Sequence, residues 1–149
     1  MRPTLLIVDD NEAILKLLTV VFERKYNVYT AADGVEAIAF LSEAIMPDLI
    51  ISDLHMNNIS GYELVRHLST SNLYNKIPVV IISDATDPDL ALLGAQSVVV
   101  AVLHKPFDPV ALARIVEESI VKYPSGNNYL RVSAGYEFAQ RYNQSFSKS

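Results

Sequence analysis

Four stretches of this chain are almost continuously apolar, and each stops at a residue able to do chemistry. Leu5-Leu6-Ile7-Val8 runs into Asp9 and Asp10, and Leu49-Ile50-Ile51-Ser52 into Asp53. Val79-Val80-Ile81-Ile82 ends at Ser83, and the run from Val98 to Leu103 leads to His104, Lys105 and Pro106. A strand that is apolar at successive positions is buried on both faces, as in a parallel sheet covered by helices. Parallel strands end on one common edge, and ligand sites in open α/β sheets form outside that edge. Three carboxylates, a hydroxyl and an ammonium are therefore expected to converge.

The segments between these runs read as helices. Ile14, Leu17, Leu18, Val21 and Phe22 recur at helical spacing behind Asp10 or Asn11 as a cap. Tyr26 to Ala31 reads as a short second strand. Asp33-Gly34 reads as a turn, followed by a helix carrying Val35, Ile38, Ala39 and Leu41, and Pro47 separates it from the next strand. Ser60-Gly61-Tyr62-Glu63 matches a capping box, with Leu64, Val65 and Leu68 facing inward. Asp87-Pro88 predicts a fourth, short helix reaching about Ala95. Asp108-Pro109 predicts a last helix reaching about Tyr123. Five βα units in about 120 residues make a three-layer, doubly wound α/β domain over 1–123. Pro124-Ser125-Gly126-Asn127-Asn128 closes it, leaving a tail at 124–149 that is disordered, docked or a partner-binding arm.

With 149 residues, half of them hydrophobic, the chain has enough material for one well-buried core. Arg2-Pro3 followed by a short apolar run does not resemble a signal peptide, and no run approaches the roughly 18 residues of a membrane span. The lack of cysteine excludes disulfides and thiolate chemistry and suits a reducing cytoplasm. A net charge of −5 argues against direct nucleic-acid binding.

Gathering three carboxylates is costly. Two unit charges about 4 Å apart repel by about 4 kcal/mol at an effective dielectric of about 20. Either one stays protonated or a cation holds them, and a hard ion such as Mg²⁺ suits oxygen ligands while keeping waters for a phosphate. Lys105 counters the charge, and Ser83 offers a hydroxyl to a phosphoryl oxygen. No Gly-rich phosphate loop, zinc spacing or acyl-transfer base is present in the sequence. What remains is a carboxylate nucleophile for phosphoryl transfer.

Asp9-Asp10, Asp53 in Ser52-Asp53-Leu54-His55-Met56, Gly61 eight residues on, Ser83 and Lys105-Pro106-Phe107 stand in register. On these residues the chain, from Thr4 to about Tyr123, resembles the receiver domain of two-component response regulators in its single-domain, chemotaxis-type form. The resemblance implies a flavodoxin-like sheet of order 2-1-3-4-5. It implies Asp53 as phospho-acceptor, with Mg²⁺ held by Asp10, Asp53 and the backbone carbonyl of His55, and Asp9 contributing nearby. It further implies that Ser83 and Lys105 grip the phosphoryl oxygens and that the Lys105-Pro106 bond is cis. The implied partners are a histidine kinase or histidine phosphotransfer protein and a downstream protein target, with no membrane. The implied chemistry is self-phosphorylation and autodephosphorylation, not metabolic turnover.

Some positions depart from the family's usual residues: Asn57, Ser60, Val98-Val99, Asp84 and Val102. Asp84 adds a carboxylate beside the hydroxyl, expected to slow phosphorylation or speed phosphoryl loss. Val102 stands where the aromatic switch residue is usual, and a valine cannot swing as a tyrosine does. Of the two switch positions only Ser83 then keeps its usual type, so a tail aromatic or the fourth helix is expected to carry part of the signal.

Plainer readings compete at each residue: loop capping for Asp53, helix capping for Asp9 and Asp10, a snorkelling lysine for Lys105, and a satisfied strand-end hydroxyl for Ser83. The His55 side chain either tunes water access or is simply exposed, and His67 and His104 read as surface residues. Two other functions fit less well. One is a degenerate receiver acting as a constitutive binding module. The other is a Mg²⁺-dependent phosphohydrolase, which would need an aspartate where His55 stands.

Overall fold

The computed structural model describes residues 2–124 apart from residues 44, 85 and 95. The expected tail thus lies outside the described residues, except for Pro124. Ten elements alternate: β1 (Thr4–Val8), α1 (Glu12–Phe22), β2 (Asn27–Ala31), α2 (Gly34–Leu41), β3 (Leu49–Asp53), α3 (Gly61–Thr70), β4 (Val79–Ser83), α4 (Leu90–Leu93), β5 (Val99–His104) and α5 (Pro109–Lys122). The five strands form one parallel sheet in the order β2-β1-β3-β4-β5, as expected.

The strand pleat sends alternate side chains to opposite faces. Leu5, Ile7, Leu49, Ile51, Val80 and Ile82 therefore pack on one side, against Leu18 and Phe22 of α1 and Leu112, Ile115 and Val116 of α5. Leu6, Val8, Ile50, Val79 and Ile81 pack on the other, against Ala37 and Leu41 of α2 and Leu64, Val65 and Leu68 of α3. Two cores sharing one sheet explain why the central strands are buried at nearly every position. β2, at one edge of the sheet, is different: only Ala31 of its five residues is buried.

Helix starts follow the capping chemistry. Asn11, not Asp10, caps α1, accepting from the N–H groups of Ala13 at 3.0 Å and Ile14 at 3.2 Å. Asp33 accepts from Glu36 N–H, and Ser60 with Glu63 forms the expected capping box. Asp108 accepts from Val110 N–H, with Pro109 in the first turn of α5.

One expected start is wrong. Asp87-Pro88 does not open α4, which begins at Leu90 and has no side-chain cap. The Asp87 carboxylate instead accepts from Asp89 N–H at 2.9 Å, two residues on, so the proline is consumed in a turn ahead of the helix.

Candidate functional site

Register assembles the site. Val8 pairs with Ser52, so Asp9 and Asp53 leave neighbouring strands at the same height. Asp53 pairs with Ile82 and Ser83 with His104, so Ser83 and then Lys105 each lie one step further along the edge. Residues spread over about a hundred positions meet because parallel strands of matched length end together.

Carboxylate oxygens of Asp9, Asp10 and Asp53 lie within 4.8 Å of one another. The Lys105 ammonium approaches Asp53 Oδ2 at 3.3 Å and Asp9 Oδ2 at 3.9 Å. Asp9 and Asp53 are only 2% and 6% exposed, while Asp10 faces solvent. Burial pushes the Asp53 carboxyl above its ordinary value, against the pull of Lys105 and of a bond from the His55 backbone N–H. Burial also raises Asp9, assisted by Asp53 and Asp10 and opposed by the Asn11 N–H at 2.8 Å and by Lys105. One lysine does not neutralise three carboxylates. A set of hard oxygen donors, partly dehydrated and short of positive charge, fits a hard divalent cation such as Mg²⁺.

The backbone around the acceptor is tightly held. Gly61 N–H donates to Leu54 C=O at 2.8 Å, and a Cβ built on Gly61 would stand 2.2 Å from the Asp53 carbonyl oxygen. Glycine is needed there for close approach of backbone to backbone. Lys105 N–H donates to Ser83 C=O at 2.8 Å, and the Lys105-Pro106 bond is cis.

Ser83 is buried at the strand end, its hydroxyl directed to Asp84 C=O at 3.3 Å. Val102 is buried in the core on the α2–α3 side. Asp84 is exposed, and its Oδ1 accepts from both the N–H (3.1 Å) and the hydroxyl (3.0 Å) of Thr86. Those two bonds hold its carboxyl below the ordinary value, Lys105 and His104 adding less.

Reading the sequence missed Asp87. Its carboxylate is wholly buried, with His55 Nε2 2.7 Å from Oδ2. The imidazole is thus neither idle nor a plain surface group. His67 is exposed and stacks loosely near Tyr74, ring centroids 6.3 Å apart.

A doubly wound sheet that gathers three carboxylates and a lysine at its strand ends puts its candidate ligand site at that edge. Residues 5–117 match the model of the response regulator receiver domain, and the chain belongs to that family. It is 34% identical over 122 residues to hybrid signal transduction histidine kinase D of Dictyostelium discoideum, covering 81% of this chain and 8% of that protein. It is 29% identical over 110 residues to the DNA-binding response regulator MtrA of Mycobacterium tuberculosis strain H37Rv, covering 73% of this chain and 46% of that protein. The chain thus spans less than half the length of these curated relatives. Among solved structures, the signal receiver domain of a histidine kinase from Syntrophus aciditrophicus superimposes with a TM-score of 0.76 at 29% identity, covering 84% of this chain and 95% of that one. Chemotaxis response regulator CheY4 of Vibrio cholerae gives 0.69 at 30% identity, covering 79% and 98%.

Receiver domains are signalling switches of two-component phosphorelays that meet histidine kinases and phosphotransfer proteins and bind Mg²⁺ at acidic residues. Among the described residues, no helix is long and apolar enough to cross a membrane.

Proposed function

We propose that residues 1–123 act as a switch phosphorylated on Asp53 by a phosphohistidine of a histidine kinase or phosphotransfer protein. An Asp53 carboxylate oxygen attacks phosphorus, an O–P bond forms, and the P–N bond breaks. The imidazole nitrogen keeps the electron pair and takes up a proton. Later, water attacks phosphorus, releasing inorganic phosphate and restoring the carboxylate. The observation that carries this reading is Lys105 Nζ set 3.3 Å from Asp53 and 3.9 Å from Asp9.

Asp9, Asp10, Asp53 and the His55 carbonyl would hold Mg²⁺, which supplies charge neutralisation for the incoming phosphoryl oxygens. Lys105 pairs with one of those oxygens, and the Ser83 hydroxyl turns from Asp84 C=O to donate to another. Phosphorylation takes Asp53 from one negative charge to about two. The switch responds only by the difference in how its two loop arrangements accept that charge. The readout is contact with another protein.

The test is incubation with acetyl phosphate and Mg²⁺, followed by mass spectrometry under acid. One phosphoryl per chain, labile to base and absent in Asp53→Asn, is expected. An adduct that persists in Asp53→Asn rejects the acceptor. Wild-type protein that takes no phosphoryl from any donor yet binds its partner favours the constitutive binding module.

A further inference from the structure

We propose that His55 and Asp87 form a positioning link that relays the state of the Asp53 site to α4. The inference rests on Asp53 being the acceptor. A fully buried carboxylate in a loop calls for partners, because desolvation of a charge is costly unless it is compensated. Asp87 Oδ1 has one, the Asp89 N–H. Oδ2 has no aligned hydrogen-bond donor among the described residues, and what faces it is His55 Nε2 at 2.7 Å. The His55 side chain is 64% exposed, that of Asp87 0%. The ring therefore lies over the carboxylate as a cover at the surface.

Each partner is tied into a different part of the machinery. His55 follows Asp53 by two residues at the end of β3, its backbone N–H directed toward the Asp53 carboxylate, so a change there acts on His55 directly. Asp87 N–H donates to Asp84 C=O at 3.1 Å, and Leu90 N–H donates to Asp87 C=O at 3.3 Å. Asp87 thus connects the segment just after Ser83 to the first residue of α4.

The far end of the β3–α3 loop is pinned. Asn58 donates to Asp33 Oδ2 at 3.0 Å, and Ile59 presses on Gly34, where an added Cβ would come within 2.7 Å. Movement at His55 is left to pass toward Asp87. Val102, buried where the family usually carries an aromatic, cannot provide the alternative route by swinging outward.

The test uses the full chain saturated with Mg²⁺ and fluoroberyllate, reading the ¹⁹F signal of the adduct and the amide shifts of Leu90–Leu93. Wild type, His55→Ala, Asp87→Ala and the double variant are compared. Each single variant is expected to lose most of the α4 response, because the coupling between the two sites is carried by this link. The double variant is expected to lose no more than either single one, since both remove the same link. Full α4 response in His55→Ala, or losses that add in the double variant, would overturn the relay while leaving the acceptor intact. A single variant that forms no adduct where wild type does also overturns it, because the pair then acts on the site and not on its connection to α4. Wild type without an adduct refutes the acceptor itself, and the relay with it.

Discussion

At the carboxyl edge of the sheet, Asp9 and Asp53 are buried and burial raises both carboxyls above their ordinary value. In the loops beside that edge, Asp33 and Asp84 accept hydrogen bonds from Glu36, Asn58 and Thr86 that lower theirs. One residue type thus serves two ends. The loop aspartates favour the folded chain when ionised. The edge aspartates are held ionised at a cost, which a cation or a phosphoryl-bearing state can exploit. Perturbed carboxyls of the second kind gather at functional sites.

The largest way to break this contrast is at the backbone. Gly61→Ala drives a methyl into the Asp53 carbonyl and Leu54 Cα, atoms with nowhere to go. A loss of about 3 kcal/mol or more is expected in urea unfolding, from overpacking against main chain. Next comes the cation. Mg²⁺ at a hundredfold excess over its dissociation constant should stabilise the wild type by about 2.7 kcal/mol and leave an Asp9→Asn/Asp53→Asn double variant nearly unmoved, by differential thermal melting. Removing one costly charge is smaller. Asp53→Asn without Mg²⁺ should raise stability by about 1 kcal/mol, the common size of a single stabilising substitution, whereas Asp33→Ala should lower the melting temperature by removing the α2 cap.

The smallest effect is pH-dependent and opposite in sign for the two groups. With folded pKa values above the unfolded ones, Asp9 and Asp53 bind protons preferentially in the native state. Their contribution to stability grows as pH falls through the raised values and is complete below about 3.8. Asp33 and Asp84 contribute stability that is present above 3.8 and lost as pH falls through their lowered values. Melting of Asp9→Asn and Asp33→Asn against wild type across this range separates the two; the same pH slope in both variants would abolish the distinction.

The strands were legible because burial on both faces makes β1, β3, β4 and β5 nearly continuously apolar, a signal each strand carries alone. Caps were legible at Ser60 and Asp108, where the donor lies two or three residues away, while Asp33, read as a turn, also caps its helix. The same rule misled at Asp87. Its neighbours look like a helix start, but its carboxylate is claimed by a turn and by a histidine 32 positions earlier. Asp84 adjoins the hydroxyl in sequence, and only the structure shows that its side chain also accepts from Thr86.

From its residues alone, the chain determined an alternating α/β order, a parallel sheet and the strand ends from which an acidic pocket would be built. These depend on local periodicity and short-range hydrogen bonds, which composition and spacing encode directly. Tertiary structure alone decided how far each carboxylate is desolvated, how near Lys105 comes, and which partner the buried face of Asp87 meets. Those depend on the register of strands and the packing of loops distant along the chain, where a shift of a few tenths of an ångström changes the electrostatics and no local pattern records it.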